Sequence, residues 1–538
     1  MAVLAGSVRA DVKLPGIFGD HMVLQEEAKL PVWGWADPGE KVTVTLGAAS
    51  GSAVAGKNTL TFQDVLVGDV WLASGQSNMA FGIGLDDRGA DAAAQADNSQ
   101  LRLFMLLQTT AINMKSDLPP LRPDRLEGQW QICSPATLTG KWGWSGFSAA
   151  AYYFGREIQH STNRPVGIIE TCWGGTPAQA WTSFSALQKE PILAHYAADH
   201  QKFLDNFDQA TADYPKLKPE NDAAIRQWTD TIGTPFFAAD AQWKIDAAKA
   251  AAAGQPVPPE PKLSQPRPPA LTTPDGGQFA PTTLFNAMIA PLIPFAIKGA
   301  IWYQGESNAG MGKEYATLFP TMITDWRERW GQGDFPFLFV QLANFQTPQK
   351  LPSEGGWALL REAQFKTLSL PNTGMASAID IGDPTNIHPK DKLDVGLRLA
   401  LQARRVAYGE KVVSSGPLYD AMTVEGDKIR LTFKEVGSGL MMGVPPWTPT
   451  GMPPPAPTEL KGFAITGADG KWVWGKATID GNTVVVSGDG VANPLAVRYD
   501  WASCPFGNLY NKEGLPASSF RTDDWDGNLP PAAATAPH

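Results

Sequence analysis

The sequence has few cysteines, few charged residues and no long uninterrupted apolar run. Its three cysteines in 538 residues, Cys133, Cys172 and Cys504, are too few for a disulfide framework, and none is in a Cys-x-x-Cys pair. Charged residues make up 18% of the chain, and the net charge is −10 with no lysine–arginine cluster. This composition argues against nucleic acids and anionic membrane surfaces as partners.

The longest apolar stretch and the amino terminus bear on the membrane and on export. The stretch 285–303 contains Pro291, Pro294 and Lys298, so we do not expect a membrane-spanning helix. The first eleven residues have too short an apolar run for a complete signal peptide, although Val8-Arg9-Ala10 resembles a cleavage site. We therefore expect a periplasmic or secreted protein and leave a cytoplasmic location open.

The pattern along the chain predicts an α/β protein with several structural units. Short β-branched and aromatic runs predict a small β module at 1–64. Apolar strands alternating with helices predict a parallel sheet covered on both faces, in two parts at 65–190 and 283–405. A polar, then proline-rich segment at 191–282 is predicted to be a helical insertion that ends in an extended linker. Strands with Asp-Gly turns predict a β-sandwich-like domain at 406–538.

Ser77 is the strongest candidate for a nucleophile. A nearly continuous apolar run leads into Ser74-Gly-Gln-Ser-Asn-Met79, so Ser77 directly follows a predicted buried strand. The carboxyl end of a parallel strand is where α/β sheets bind ligands, and a backbone N–H at a helix start can stabilise negative charge. A lone serine in this position is more often a helix N-cap, so the motif is weak by itself.

His388 is the strongest candidate for the base that a serine nucleophile needs. Of the six histidines, it alone follows a predicted buried strand in a loop, 380–389, that also contains two aspartates. Asp383 precedes it by five residues and Asp380 by eight, and either carboxylate could orient the imidazole. The alternative is a structural loop histidine held by a neighbouring carboxylate.

Two further loops follow predicted buried strands and contain donors suited to an oxyanion hole. The loop 170–176 contains two glycines, and the loop 303–309 contains a glycine and amide side chains. Sharp turns would explain the glycines equally well. Gly305-Glu-Ser-Asn-Ala309 also mimics a nucleophile elbow, which makes Ser307 the alternative nucleophile. Together, four loops would place a nucleophile, donors, an acid and a base along one sheet edge.

Four motifs within these loops form a specific combination. They are Ser74-Gly-Gln-Ser-Asn-Met79, Trp173-Gly-Gly-Thr176, Trp302-Tyr-Gln-Gly-Glu-Ser-Asn308 and Asn386-Ile-His-Pro389. With Asp20-His-Met-Val-Leu-Gln25 and Gly507-Asn-Leu-Tyr-Asn511 near the chain ends, they resemble the sialate O-acetylesterase family of SGNH hydrolases. The resemblance spans nearly the whole chain outside the insertion. It implies an SGNH-hydrolase core, a three-layer α/β/α arrangement around a parallel sheet.

The resemblance also implies an activity, a serine carboxylic-ester hydrolase that removes O-acetyl groups from a carbohydrate without a metal or cofactor. Ser77 carries over as the nucleophile and His388 as the base. The chain departs from the D-x-x-H block that is usual in SGNH hydrolases, because Thr385 occupies the position three before the histidine. We therefore predict Asp383 as the triad acid and keep Asp380 in reserve.

Two sets of residues are predicted to surround this centre. The oxyanion donors implied by the resemblance are Ser77, Gly174, Gly175 and Gln304. The predicted substrate contacts are Asn78, Trp173, Glu306, Asn308 and Arg361.

The expected substrate is an acetylated plant cell-wall polysaccharide of the xyloglucan or xylan type, or its oligosaccharides. An O-acetylated sialic acid is the alternative, for which Arg361 or Arg88 could bind the carboxylate. Tryptophans such as Trp142, Trp144 and Trp173 could stack on sugar rings, although most tryptophans are core residues. A non-catalytic carbohydrate-binding protein is the alternative from another class.

Overall fold

The structure is a computed structural model that describes residues 12–37, 41–46, 49–54, 58–122, 124–252, 255–352, 355–446, 448–449 and 454–525. The cleavage-like motif Val8-Arg9-Ala10 lies outside these residues. The strands, in chain order, are β1 Val23–Gln25, β2 Lys41–Leu46, β3 Ala49–Val54, β4 Leu66–Gly75, β5 Asn98–Met105, β6 Gln131–Cys133, β7 Val166–Cys172, β8 Gly299–Tyr303, β9 Phe337–Gln341, β10 Thr373–Ser377, β11 Leu418–Glu425, β12 Lys428–Lys434, β13 Leu440–Met442, β14 Phe463–Thr466, β15 Val473–Trp474, β16 Lys476–Asp480, β17 Thr483–Ser487, β18 Ala496–Tyr499, β19 Leu509–Asn511 and β20 Phe520–Arg521.

The α-helices are mostly placed between the strands of the first 410 residues. In chain order they are α1 Ser77–Ala80, α2 Gly89–Ala94, α3 Pro135–Leu138, α4 Ala149–Thr162, α5 Phe184–Lys189, α6 Ala194–Trp228, α7 Thr234–Ala252, α8 Gly312–Trp330, α9 Gly356–Lys366 and α10 Leu393–Val406.

A mixed central sheet forms the core of the larger unit. Its strand order is β10-β9-β8-β4-β7-β5-β6, and β1 pairs with the start of β4. Every neighbouring pair is parallel except β5 and β6, which are antiparallel. The predicted α/β class is therefore confirmed. Because parallel strands end at the same edge, the loops after β4, β7 and β8 lie side by side.

The sheet is buried on both faces because its strands are apolar at successive positions. Along β4, Val70 and Leu72 belong to an apolar core that includes helix α8. The alternating residues Trp71 and Ala73 belong to a second core that includes helices α4 and α10. Successive residues of a strand point to opposite faces of the sheet. A strand that is covered by helices on both faces therefore needs an apolar residue at every position, as β4 has from Val70 to Ala73.

The predicted insertion contains a long helical stretch. Helices α6 and α7 are joined by a π-helical segment, Thr229–Gly233, and the chain then returns through the proline-rich residues. At its base, the buried His200 contacts two backbone carbonyls, that of Pro281 at 3.0 Å and that of Ile112 at 3.1 Å. These contacts attach helix α6 to the two segments that contain Pro281 and Ile112.

The carboxyl-terminal region consists of separate antiparallel sheets. Two of them have the orders β11-β12-β17-β16 and β15-β14-β18-β20, and β13 pairs with β19. Alternating apolar residues such as Ile429, Leu431, Val484 and Val486 form their common core. Within the described ranges, no helix has the length and apolarity needed to cross a membrane.

Candidate active site

A sharp turn between two neighbouring strands positions Ser77. Strand β4 ends at Gly75, whose φ is +137°, and a Cβ there would lie 2.2 Å from the carbonyl oxygen of Tyr303 in β8. Only glycine tolerates both this conformation and this close approach. The N–H of Gln76 then donates to the same Tyr303 carbonyl at 3.0 Å. Ser77 follows as the first residue of α1, half-buried at the carboxyl edge of the sheet.

The structure brings together Ser77 and His388, which are 311 residues apart in the sequence. The Ser77 Oγ lies 2.8 Å from the His388 Nε2. Burial of the imidazole and, secondly, the positive charge of Lys392 lower the pKa of His388 below its ordinary value. A lowered pKa favours the neutral imidazole, which is the form that can accept the serine proton.

Asp383 does not hydrogen bond to His388, contrary to the predicted triad. Its carboxylate accepts the backbone N–H and the hydroxyl of Thr385, both at 2.8 Å. The N–H of Asn386 donates to the Asp383 carbonyl at 3.3 Å and closes a tight turn. Both bonds to the carboxylate are accepted by Oδ1 and come from within the turn 383–386, not from the histidine.

Asp380, the reserve candidate, is also engaged elsewhere. It forms a buried bidentate ion pair with Arg398 at 2.6 and 2.9 Å and accepts the hydroxyl of Tyr510 at 3.0 Å. Within the described residues, no hydrogen bond joins either aspartate to His388. The geometry is therefore that of a serine–histidine pair.

Two backbone N–H groups beside Ser77 are available for an oxyanion. No hydrogen bond within the described part of the chain engages the N–H of Ser77 or that of Gly174. A Cβ at Gly174 would lie 3.4 Å from the Ser77 Cβ, so the glycine loop packs directly against the serine. Gly175 adopts a φ of +75°, which turns the loop away after this contact.

Gln304 is not available as an oxyanion donor, and this prediction needs correction. Its Nε2 donates to the Asn308 Oδ1 at 2.7 Å and to the Thr176 carbonyl at 3.3 Å. Its Oε1 accepts the Tyr315 hydroxyl at 2.9 Å. Asn308, a predicted substrate contact, is likewise buried, and its Nδ2 donates to the side chain of Gln179 at 3.0 Å. These amides hold the loops after β7 and β8 together.

The remaining polar residues of the motifs are structural in their contacts. Asn78 is buried, and its Nδ2 donates to the Glu306 carboxylate at 2.5 Å. Burial raises the pKa of that carboxyl group. Ser307, the alternative nucleophile, donates its backbone N–H to the Gln76 Oε1 at 3.2 Å. Both residues were predicted to contact the substrate, but Asn78 is buried and the half-buried Glu306 accepts its hydrogen bond.

The two arginines considered for a sialate carboxylate are both engaged. Arg361 is fully buried, and its guanidinium donates to four backbone carbonyls, two directly after β9 (342 and 343) and two in the carboxyl-terminal region (502 and 503). Arg88 contacts Asp391 at 3.0 Å and Asp394 at 3.3 Å. The prediction of Arg361 as a substrate contact was wrong, because the side chain is buried away from solvent.

Two exposed aromatic rings lie near the loops that contain the serine–histidine pair and Gly175. Trp144 is 42% exposed and packs edge-on against His388, with ring centroids 5.0 Å apart. Phe279 is 57% exposed, and a Cβ at Gly175 would lie 3.4 Å from its ring. Trp142 is buried, and Trp173 packs partly against the core. Sequence reasoning missed Phe279, because nothing local distinguishes one phenylalanine at the end of a proline-rich tract.

The other side chains considered are potential metal ligands and the cysteine thiols. In the ranges that the structure describes, no group of three or more His, Cys, Asp or Glu residues is arranged to hold a metal ion. The three cysteines are buried and unpaired. Burial raises the pKa of the Cys172 thiol, which disfavours its nucleophilic thiolate form.

The comparison with known families agrees with this geometry. A sequence model described as carbohydrate esterase, sialic acid-specific acetylesterase, matches residues 67–207 and 278–405, half of the chain. This chain belongs to that family. The unmatched stretch between the two blocks falls within the predicted insertion. The resemblance that the motifs carried is thus confirmed, and membership makes the protein a carboxylic-ester hydrolase of the acetylesterase type.

Individual relatives cover most of the chain. The sialate O-acetylesterase of Rattus norvegicus is 29% identical over 455 residues, 74% of this chain and 74% of the relative. That of Homo sapiens is 28% identical over 472 residues, 77% of this chain and 75% of the relative. The crystal structure of a carbohydrate acetylesterase from Xanthomonas citri covers 96% of this chain and is itself covered completely, with 33% identity and a TM-score of 0.71.

Proposed function

We propose that the protein hydrolyses acetyl esters on a glycan through an acyl-enzyme formed on Ser77. The observation that carries this proposal is the 2.8 Å contact between the Ser77 Oγ and the His388 Nε2 at the carboxyl edge of the sheet. A nucleophile and base within hydrogen-bond reach, beside free backbone donors, meet the geometric requirement for acyl transfer.

The reaction runs in two steps on these groups. His388 takes the Ser77 proton as the Oγ attacks the acetyl carbonyl, and the resulting oxyanion is stabilised by the N–H groups of Ser77 and Gly174. The imidazolium returns the proton to the departing sugar oxygen. Water, deprotonated by the same imidazole, then attacks the acetyl-serine and releases acetate. One oxyanion donor typically stabilises the transition state by about 3–4 kcal/mol.

We propose an acetylated neutral glycan of the plant cell-wall type, such as xyloglucan or xylan, as the substrate. The exposed rings of Trp144, which contacts His388, and Phe279, which lies beside Gly175, offer apolar faces for pyranose rings. Both arginines considered for a carboxylate ligand are occupied by protein partners. That favours a sugar without a negative charge over one with a carboxylate.

The second candidate is an O-acetylated sialic acid. It is favoured by the names of the rat and human relatives, which are sialate O-acetylesterases of similar length. Acetate release from acetylated xyloglucan, acetylated xylan and O-acetyl sialic acid, compared at equal enzyme concentration, separates the two candidates. A preference for the sialic acid would overturn the neutral-glycan proposal.

Two serine variants test the chemistry itself. Ser77→Ala should abolish hydrolysis of 4-nitrophenyl acetate, by at least about 1,000-fold. The matched control, Ser307→Ala, removes a hydroxyl from the neighbouring loop and should keep most of the activity. Activity that survives in the first variant and is lost in the second would assign the nucleophile to Ser307. A folded wild-type protein that binds acetylated glycans but releases no acetate from any of them would instead be a carbohydrate-binding protein.

A further inference from the structure

A buried lysine, Lys392, contacts residues next to both members of the serine–histidine pair. Lys392 is fully buried, and its Nζ donates to the Asn78 Oδ1 at 2.8 Å and to the Pro389 carbonyl at 2.6 Å. Its ammonium also lies 4.6 Å from the ring centroid of Phe81 and 5.5 Å from that of Tyr303. A lysine is rarely buried to this degree unless it is fully paired. The burial of this ammonium group is therefore expected to serve a structural or functional role.

The contacts of Lys392 and Asn78 enclose His388 from both sides along the chain. The Asn78 Nδ2 donates to the carbonyl of Ile387, the residue before the histidine, at 3.0 Å. Lys392 donates to the carbonyl of Pro389, the residue after it. Asn78 is itself the residue that follows Ser77. One short chain of hydrogen bonds thus connects Asn78, the residue after the nucleophile, with both neighbours of the base.

These bonds hold His388 through the backbone on both sides of it, whereas a triad acid would hold it through the imidazole. Within the described residues, no carboxylate bonds to the imidazole, and Asp383 and Asp380 are satisfied by other partners. We propose that Lys392 and Asn78 are positioning residues that hold His388 against Ser77 through the backbone of the histidine loop. The inference rests on the proposed function, because it assigns a role within the same site.

The charge of Lys392 provides a readout that a purely structural role would not move. Its positive charge lowers the pKa of His388, after the larger effect of burial. Burial in turn lowers the pKa of Lys392 to about 7, and the facing carboxylates act in the opposite direction. The charged groups that face the ammonium are Glu306 after β8, Asp86 before α2 and Asp391 in its own segment, the last of which is paired with Arg88.

The test compares Lys392→Met with Lys390→Met. Lys390 is an exposed lysine in the same loop, 3.6 Å from Asp87, so its variant removes the same charge without touching Asn78. Lys392→Met should lower kcat for 4-nitrophenyl acetate between about 10-fold and about 100-fold, the cost of misplacing a catalytic group by roughly 1 Å. It should also move the acid limb of the kcat/KM profile to higher pH, because the imidazole no longer faces a cation. Lys390→Met should change neither quantity.

Asn78→Ala supplies a second, independent variant. It removes the tie to the Ile387 carbonyl but keeps the ammonium, so kcat should fall about 10-fold or more while the acid limb stays in place. If Lys392→Met fails to fold by circular dichroism, this variant decides. An Asn78→Ala enzyme with kcat within about twofold of wild type would overturn the inference.

A direct titration separates this inference from the proposed function. The pKa of His388 can be measured by NMR in the inactive Ser77→Ala background, with and without Lys392→Met. A higher pKa in the double variant supports the link between the lysine and the imidazole, and an unchanged pKa overturns it. Neither result depends on turnover. Absence of esterase activity in the wild-type protein would refute the proposed function. The titration would still decide whether Lys392 acts on the pKa of His388.

Discussion

Replacing Asp383 by asparagine distinguishes a serine–histidine pair from a triad. The Asp383 carboxylate accepts two hydrogen bonds from Thr385 and none from His388. An asparagine Oδ1 can accept the same two bonds, so only the ionic part of each is lost, about 1 kcal/mol in total. Since 1.4 kcal/mol corresponds to a tenfold change in rate, kcat for Asp383→Asn should fall by less than about tenfold.

A true triad acid would behave very differently. Removing its charge typically lowers kcat by about 10⁴, because the imidazole takes the wrong tautomer and its charged form loses a partner. Steady-state kinetics with 4-nitrophenyl acetate, on variants matched for circular dichroism, separate these magnitudes by three decades. The control is Thr385→Val, which removes the hydroxyl on the other side of the same contact. A loss near 10⁴ in the asparagine variant alone would show that Asp383 turns onto His388 during the reaction and would refute the pair.

Three further outcomes follow from the geometry. Asp380→Asn leaves the buried guanidinium of Arg398 without its carboxylate partner. Urea titrations should therefore show a free energy of unfolding that is lower by about 3–5 kcal/mol. An unchanged urea midpoint would mean that the pair is solvated. Burial and a neighbouring ammonium lower the pKa of His388 below 6.5, so the neutral base persists to lower pH. The acid limb of the kcat/KM profile should therefore lie below pH 6.5. A limb above that value would contradict the assignment of His388 as the base. Phe279→Ala should raise KM for an acetylated oligosaccharide roughly 3–10-fold and leave 4-nitrophenyl acetate hydrolysis unchanged; equal losses on both substrates would place the ring in catalysis rather than in sugar binding.

Much of the fold could be predicted because it depends on local patterns. Apolar runs such as 65–73 and 166–169 are too apolar for one-sided burial, so they had to be strands within a covered parallel sheet. Parallel strands end at one edge, and this rule alone placed the Ser77 and Gly174 loops beside each other. The loop after a predicted strand singled out His388 among the six histidines, and the family motifs then implied its role as the base. Its contact with Ser77 joins residues 311 positions apart, which no local pattern predicts.

The contacts of the polar side chains could not be read from their types. Gln304 and Asn308 have the amide groups of oxyanion donors, yet each donates to the neighbouring loop. Arg361 has the charge of a carboxylate ligand, yet it is buried against backbone carbonyls at the contact with the last domain. In each case the partner is decided by the packing of distant segments.

The sequence by itself determined the class of the protein. It also predicted the sheet edge and the serine–histidine pair that we propose for its chemistry, because these follow from strand order and from motifs that are contiguous in the chain. Only the tertiary structure decided which carboxylates are satisfied elsewhere, which amides remain free, and that Lys392 lies behind the histidine loop. The physical reason is that a buried polar group must find partners wherever the fold places them. Those partners are fixed by side-chain geometry over distances of hundreds of residues along the chain, which residue type and local spacing do not specify.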